Sequence, residues 1–155
     1  MEKRVMYYFD MDGVIADWES AYNAVAPMPL EEFSALSRED REVIKRDIFT
    51  YEFFANMRPL QSGMDVLRAF LDKGLDVTLL SATGHVNKDD VKRGKADFVE
   101  VYLGDAVELM YVDKVEQKYE RMIEGYDIHV LFDDRQSAID AWNENGGIGI
   151  LFQPK

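Results

Sequence analysis

Val5-Met6-Tyr7-Tyr8-Phe9 runs without a break into Asp10-Met11-Asp12-Gly13. A short apolar run rich in β-branched and aromatic residues reads as a strand buried on both faces of a parallel sheet. A passage of the same design lies far downstream, where Ile128-His129-Val130-Leu131-Phe132 meets Asp133-Asp134. Ligands of open α/β sheets bind beyond the carboxyl ends of the strands. If these two strands are neighbours, four carboxylates converge on one small volume. Like charges at short range repel and raise one another's pKa, so the cluster calls for a cation. A hard divalent ion that takes oxygen ligands, Mg2+, fits best.

Around these two passages, strands alternate with helices. The order reads strand, helical insert, helix, strand, helix, strand, helix, strand, helix, strand. Leu75–Leu80 is the second strand and opens at Ser81-Ala82-Thr83-Gly84; further strands are expected at 107–112 and 148–152. Ser62 and Asp65 resemble a capping box ahead of an apolar face formed by Met64, Leu67 and Leu71, and Gly74 suits the stop. Later helices are expected at about 88–103, from Lys114 to about 124, and after Asp134 up to Gly146-Gly147. Such alternation implies right-handed crossovers and a Rossmann-like, doubly wound parallel sheet of the α/β class.

From Asp17 to about Met57 the character changes. Charges at Glu31, Glu32 and 38–42 alternate with apolar residues at helical spacing, and Pro27 and Pro29 break the start. This stretch reads as a small helical cap, 17–57, inserted after the first strand of a core made of 1–16 and 58–155.

A chain of 155 residues, 47% of them hydrophobic, suits one domain with a proper core. No apolar run approaches the roughly 18 residues of a membrane span. The first strand follows Met1-Glu2-Lys3-Arg4 directly, so no signal peptide is expected and a cytoplasmic protein is. The absence of cysteine excludes disulfides, zinc-thiolate sites and thiol nucleophiles. A net charge of −12 argues against a grip on a long nucleic-acid duplex, which needs a basic stripe. The one local basic cluster, 88–95, is interrupted by Asp89 and Asp90 and reads as a solvated helix face.

Asp10 and Asp12 are two positions apart in extended chain, so their side chains leave on the same side, and Gly13 permits a sharp turn after them. One carboxylate can attack phosphorus while the other gives and takes a proton at the leaving oxygen, splitting the transfer through an aspartyl-phosphate. A surface turn with two solvated acids is the plain reading of the same residues. Ser81 and Thr83, with backbone N–H groups nearby, stand where a strand opens into a loop and can hold phosphate oxygens; loop-capping hydroxyls are equally ordinary. Lys114 begins the helix before the last acidic strand, where a buried ammonium would offset carboxylates and phosphoryl group. Asp133 and Asp134 need a cation behind so apolar a strand, and Arg135 supplies part of that charge.

This set, in this order, resembles the haloacid-dehalogenase superfamily of phosphohydrolases. Asp10-Met11-Asp12-Gly13-Val14 with Asp17 is similar to its first motif, Leu79-Leu80-Ser81-Ala82-Thr83 to its second and Phe132-Asp133-Asp134 to its fourth. The resemblance implies Asp10 as nucleophile, Asp12 as general acid and base, Ser81 as phosphate ligand, and Mg2+ on Asp10, Asp133 and the Asp12 carbonyl, with Asp134 in the same set. The third motif is a lysine: Lys114 is expected, with Lys95 and Lys118 as rivals. Phe53 to Pro59 resembles the 5'(3')-deoxyribonucleotidases. The stretch from Asp133 through Trp142 to Gly147 resembles both those enzymes and the 3'-phosphatase domain of phage polynucleotide kinases.

The resemblance thus implies a Mg2+-dependent phosphomonoesterase acting on a small phosphorylated substrate, a nucleotide above all. A 3'-phosphatase on nucleic-acid ends is the enzymatic rival. The phage enzymes are expected to carry an arginine two positions after the serine, where this chain has Thr83. A non-catalytic nucleotide binder on the same fold has no use for a proton-transferring Asp12. A receiver-type phosphoacceptor places its paired acids on the first strand, not the last. Thr83 and Gly84 are expected at the substrate, as are Phe53 and Trp18 from the insert, whose aromatic rings can stack on a base or simply pack cap to core. His85 reads as exposed and His129 as packed.

Overall fold

The computed structural model describes residues 2–154; Met1 and Lys155, the outer ends of the expected core, lie outside the described residues. Strands β1 (Val5–Phe9), β2 (Asp76–Ala82), β3 (Glu108–Val112), β4 (Ile128–Asp133) and β5 (Ile148–Leu151) form one parallel sheet in the order β3-β2-β1-β4-β5. The chain builds outward from β1 through β2 to β3, then returns to place β4 on the other side of β1. The direction of winding therefore reverses between β1 and β4, which is where such sheets open a crevice.

Register brings the two acidic passages together. Phe9 pairs with Phe132, and the Asp10 N–H donates to the Phe132 carbonyl at 2.9 Å. Alternate residues of β1 enter different layers, as a pleated strand requires. Phe9 joins Leu79, Val130 and Phe132 on one face, while Met6 and Tyr8 join Leu80, Leu131, Ile139 and Trp142 on the other. On this second face the Tyr8 hydroxyl pairs with His129 Nδ1 at 2.8 Å and accepts from the Ile123 N–H, and Trp142 Nε1 donates to the His129 carbonyl. His129 is packed.

Between β1 and α5 (Gln61–Asp72) lie four helices, α1 (Trp18–Val25), α2 (Leu30–Ala35), α3 (Arg38–Ile48) and α4 (Tyr51–Ala55). Asp17, Ser37 and Thr50 each accept a backbone N–H from the first turn of α1, α3 and α4, the ordinary work of capping side chains. Tyr22, Phe33, Phe49, Phe53 and Phe54 bury themselves in the same cluster as Phe9 and Leu79. The insert is thus fused to the core layer, and α4 docks on α6 (Lys88–Leu103) at Gly94. A Cβ there would stand 2.6 Å from the Tyr51 carbonyl and 2.7 Å from Phe54 Cβ.

Two local expectations are corrected. No Ser62 cap opens α5; Leu60 is its N-cap, with its N–H on the Ile15 carbonyl and its own carbonyl receiving Met64 N–H. The turn is set by backbone pairing to the loop after β1. Residues 115–121 form a 3₁₀ helix in place of the expected α-helix, with Lys114 as its N-cap. α7 (Gln136–Glu144) joins β4 to β5 as expected.

Candidate active site

Asp10 follows β1, Asp133 ends β4 and Asp134 follows it. One oxygen from each lies within 4.8 Å of the other two. Lys118, fully buried on the 3₁₀ helix, donates to Asp10 Oδ1 at 2.8 Å and to Asp133 Oδ2 at 2.6 Å. Burial alone would push its pKa down, but the charges of Asp10 and Asp133 outweigh burial and hold it above the usual lysine value. Asp133 is raised by burial and by Asp10, against the pull of Lys118, and its Oδ1 accepts the Arg135 N–H at 3.1 Å.

Asp134 is the least satisfied of the three. Its Oδ1 is buried without a hydrogen-bond partner. Burial, then the charges of Asp10 and Asp133, push its pKa up to about 8. Gly13, with φ +82°, leaves it room: a Cβ at position 13 would fall 2.0 Å from Asp134 Oδ2.

Asp12 turns to a second ammonium. Lys95 Nζ, buried on α6, donates to Asp12 Oδ2 at 2.9 Å, to Ser81 Oγ at 2.7 Å and to the Ala82 carbonyl at 3.0 Å. Asp12 Oδ1 is buried and unpartnered. Two buried lysines therefore serve four acids, which leaves two formal negative charges when every acid is ionised.

No protein-family model and no curated protein matches the chain. Solved structures do. A hydrolase from Streptococcus pneumoniae TIGR4 superposes with TM-score 0.53 at 14% identity, over 99% of this chain and 95% of that one. The protein described as a HAD-hydrolase, YfnB from Bacillus subtilis, in a magnesium-bound structure, gives TM-score 0.58 at 10% identity over 96% and 88%. The Pnkp1/Rnl/Hen1 RNA repair complex gives 0.58 at 16%, over 97% of this chain but only 42% of that one. The fold is that of the haloacid-dehalogenase-like hydrolases.

Within this haloacid-dehalogenase-like fold, the three candidate lysines take different places. Lys114 is exposed at the rim of the cleft and does not reach the carboxylates; Lys118, four residues further, lies between Asp10 and Asp133. Lys95, the other rival, supports Asp12 and Ser81. The signal for both was a lysine in the apolar stripe of a helix, as in Val91, Lys95, Phe98 and Val99.

The loop after β2 is also corrected. Thr83 and Gly84 line the cleft, but the Thr83 N–H donates to Val112 and the Gly84 N–H to Asp113, so the expected phosphate-holding amides pair with the end of β3. The Thr83 hydroxyl donates to the Gly84 carbonyl at 2.9 Å. Ser81 is fully buried against Lys95. Trp18, stacked on Tyr22, lines the cleft, while Phe53 is buried among Phe49, Phe54 and Trp18 and packs cap to core. His85 is exposed.

The donors fit a hard dication: carboxylate oxygens only, one of them orphaned, with an excess of two negative charges. Asp10 and Asp134 are the better ligands, because both oxygens of Asp133 are engaged. The Asp12 side chain is turned to Lys95, which leaves its carbonyl as the group that the resemblance places at the ion.

Proposed function

We propose that this protein is a Mg2+-dependent phosphomonoesterase that works through an aspartyl-phosphate on Asp10, with a nucleotide as its substrate class. The observation that carries this reading is the convergence of Asp10, Asp133 and Asp134 within 4.8 Å beside the buried Lys118. Lys118 takes one oxygen of Asp10, orients the carboxylate and leaves the second oxygen for in-line attack on phosphorus. Asp10 and Asp134 would hold Mg2+, which on binding supplies charge neutralisation for the phosphoryl oxygens.

Asp12 is suited to the proton steps. Lys95 fixes Oδ2, and the unpartnered Oδ1 is left to give a proton to the departing alkoxide. The same oxygen then takes a proton from the water that attacks the aspartyl-phosphate, which restores Asp10 and releases inorganic phosphate. Lys95 and Ser81 support the opposite wall, and helices α1–α4 serve as the cap that bounds the substrate.

A panel of phosphorylated metabolites, with nucleoside 5'- and 3'-monophosphates and a 3'-phosphorylated oligonucleotide, tests the proposal by phosphate release. Turnover that requires Mg2+ and favours mononucleotides is expected. Absence of Mg2+-dependent release from every member would overturn the reading.

A further inference from the structure

Toward α3 the cleft gathers cations, with Glu42 among them. It encloses about 850 Å3 between the insert and the strand ends, ample for a nucleotide. Arg38, Arg41 and Lys45 line it from α3, and Arg135 lines it from the loop after β4. Positions 38, 41 and 45 fall on one side of a helix. Arg38 is paired with Glu42 at 3.2 Å. Among the described residues, Arg41, Lys45 and Arg135 are in no ion pair with a carboxylate.

Arg41 is held in place by its bond to the Leu36 carbonyl at 2.6 Å, and Lys45 lies over the Phe49 ring at 5.8 Å from its centroid. Burial, then the charges of Arg41 and Arg135, push the Lys45 pKa down, with Glu42 acting the other way. In a chain of net charge −12, gathering the half-buried Arg41 and Lys45 beside the exposed Arg135, whose charge also reaches Asp134, costs repulsion and, for the first two, desolvation. A bound anion offsets that cost.

We propose that this wall is a second anion subsite: the substrate carries a further phosphate, received by Arg41, Lys45 and Arg135, beside the one presented to Asp10. The proposal rests on the phosphomonoesterase reading for the first phosphate. Guanidinium groups suit phosphate because their paired N–H donors match its oxygens. The second phosphate belongs to a bisphosphorylated small molecule or to the neighbouring phosphodiester of a strand end.

The test is calorimetric binding to full-length Asp10→Asn protein in Mg2+, so that turnover does not intervene. The probes are 5'-AMP, adenosine 3',5'-bisphosphate and a dinucleotide with a 3'-phosphate. At least one two-phosphate probe should bind about tenfold or more tighter than 5'-AMP, the order of one charge-assisted hydrogen bond. Whichever probe gains identifies the source of the second charge. Lys45→Gln and, separately, Arg135→Gln should shrink that ratio severalfold. Equal affinity for all three probes, or a ratio that neither substitution alters, would overturn the subsite. Tight, Lys45-dependent binding with no phosphate release by the unsubstituted protein would sink the phosphatase reading and leave the subsite standing.

Discussion

Lys95 and Asp12 form an ion pair at 2.9 Å between the middle of α6 and the turn after β1, with the lysine side chain only 1% exposed. The same ammonium reaches Ser81, so the ends of β1 and β2 share one buried charge. Removing one member of a buried pair costs more than the pair contributes, since the other charge stays behind without compensation. Lys95→Met should therefore destabilise the protein by about 3 kcal/mol, read from urea unfolding, and lower phosphate release. Unchanged stability would mean that Lys95 is not held as described.

Lys118 and Lys114 make the sharper comparison. Lys118→Met leaves Asp10 and Asp133 facing each other without their shared cation, and a loss of about 3–5 kcal/mol is expected. Lys114→Ala, at an exposed position, should change stability by no more than about 0.5 kcal/mol. Equal effects in urea unfolding would contradict the assignment.

Much of this arrangement is legible in the amino-acid order. Strands buried on both faces must be continuously apolar, so β1 and β4 stand out, and the alternation of strand and helix predicts all five strands. The acids are legible because each pair ends such a run. The lysines are less so, because periodicity assigns buried helical positions to apolar residues and marks a lysine there only as a break in the stripe, without saying which acid it serves. A 3₁₀ turn, with three residues per turn, also shifts the inward face from where α-helical spacing puts it. Phe53 and Trp18 share a composition but not a place. Only packing separates a ring in the core from a ring at the cleft.

Gly13→Ala should disable the cation site. The new methyl would sit 2.0 Å from Asp134 Oδ2, at a φ of +82° that L-residues rarely adopt. Mg2+ should raise the Tm of the unsubstituted protein and leave that of the variant almost unmoved. A preserved Mg2+ response would show that Asp134 is not part of the site.

The pH dependence has a definite sign. Asp134 binds its proton more tightly folded than unfolded, with a folded pKa of about 8. Between its unfolded value and about 8 the native state holds the extra proton, so metal-free stability falls as pH rises. Lys118, raised above the ordinary lysine value, adds stability that is lost only above that value and leaves this window alone. Metal binding must displace the Asp134 proton below pH 8. In EDTA the Tm should decline from about pH 6.5, above which the lowered His129 no longer acts against it, to pH 8. Asp134→Asn should lessen that decline, with Asp133, also raised, supplying the remainder. The Mg2+-induced rise should be larger at pH 8 than at pH 6. A flat metal-free profile would contradict it.

Asp10 decides the account. Phosphate release from a nucleoside monophosphate should be measured in Mg2+ for the unsubstituted chain and for Asp10→Asn, with unfolding of both followed in parallel. The expected result is Mg2+-dependent turnover for the first and a loss of at least about a thousandfold for the second, the scale on which nucleophile removal acts, with a cooperative unfolding transition retained. Comparable turnover by a folded Asp10→Asn protein would show that no phosphoryl group passes through that carboxylate.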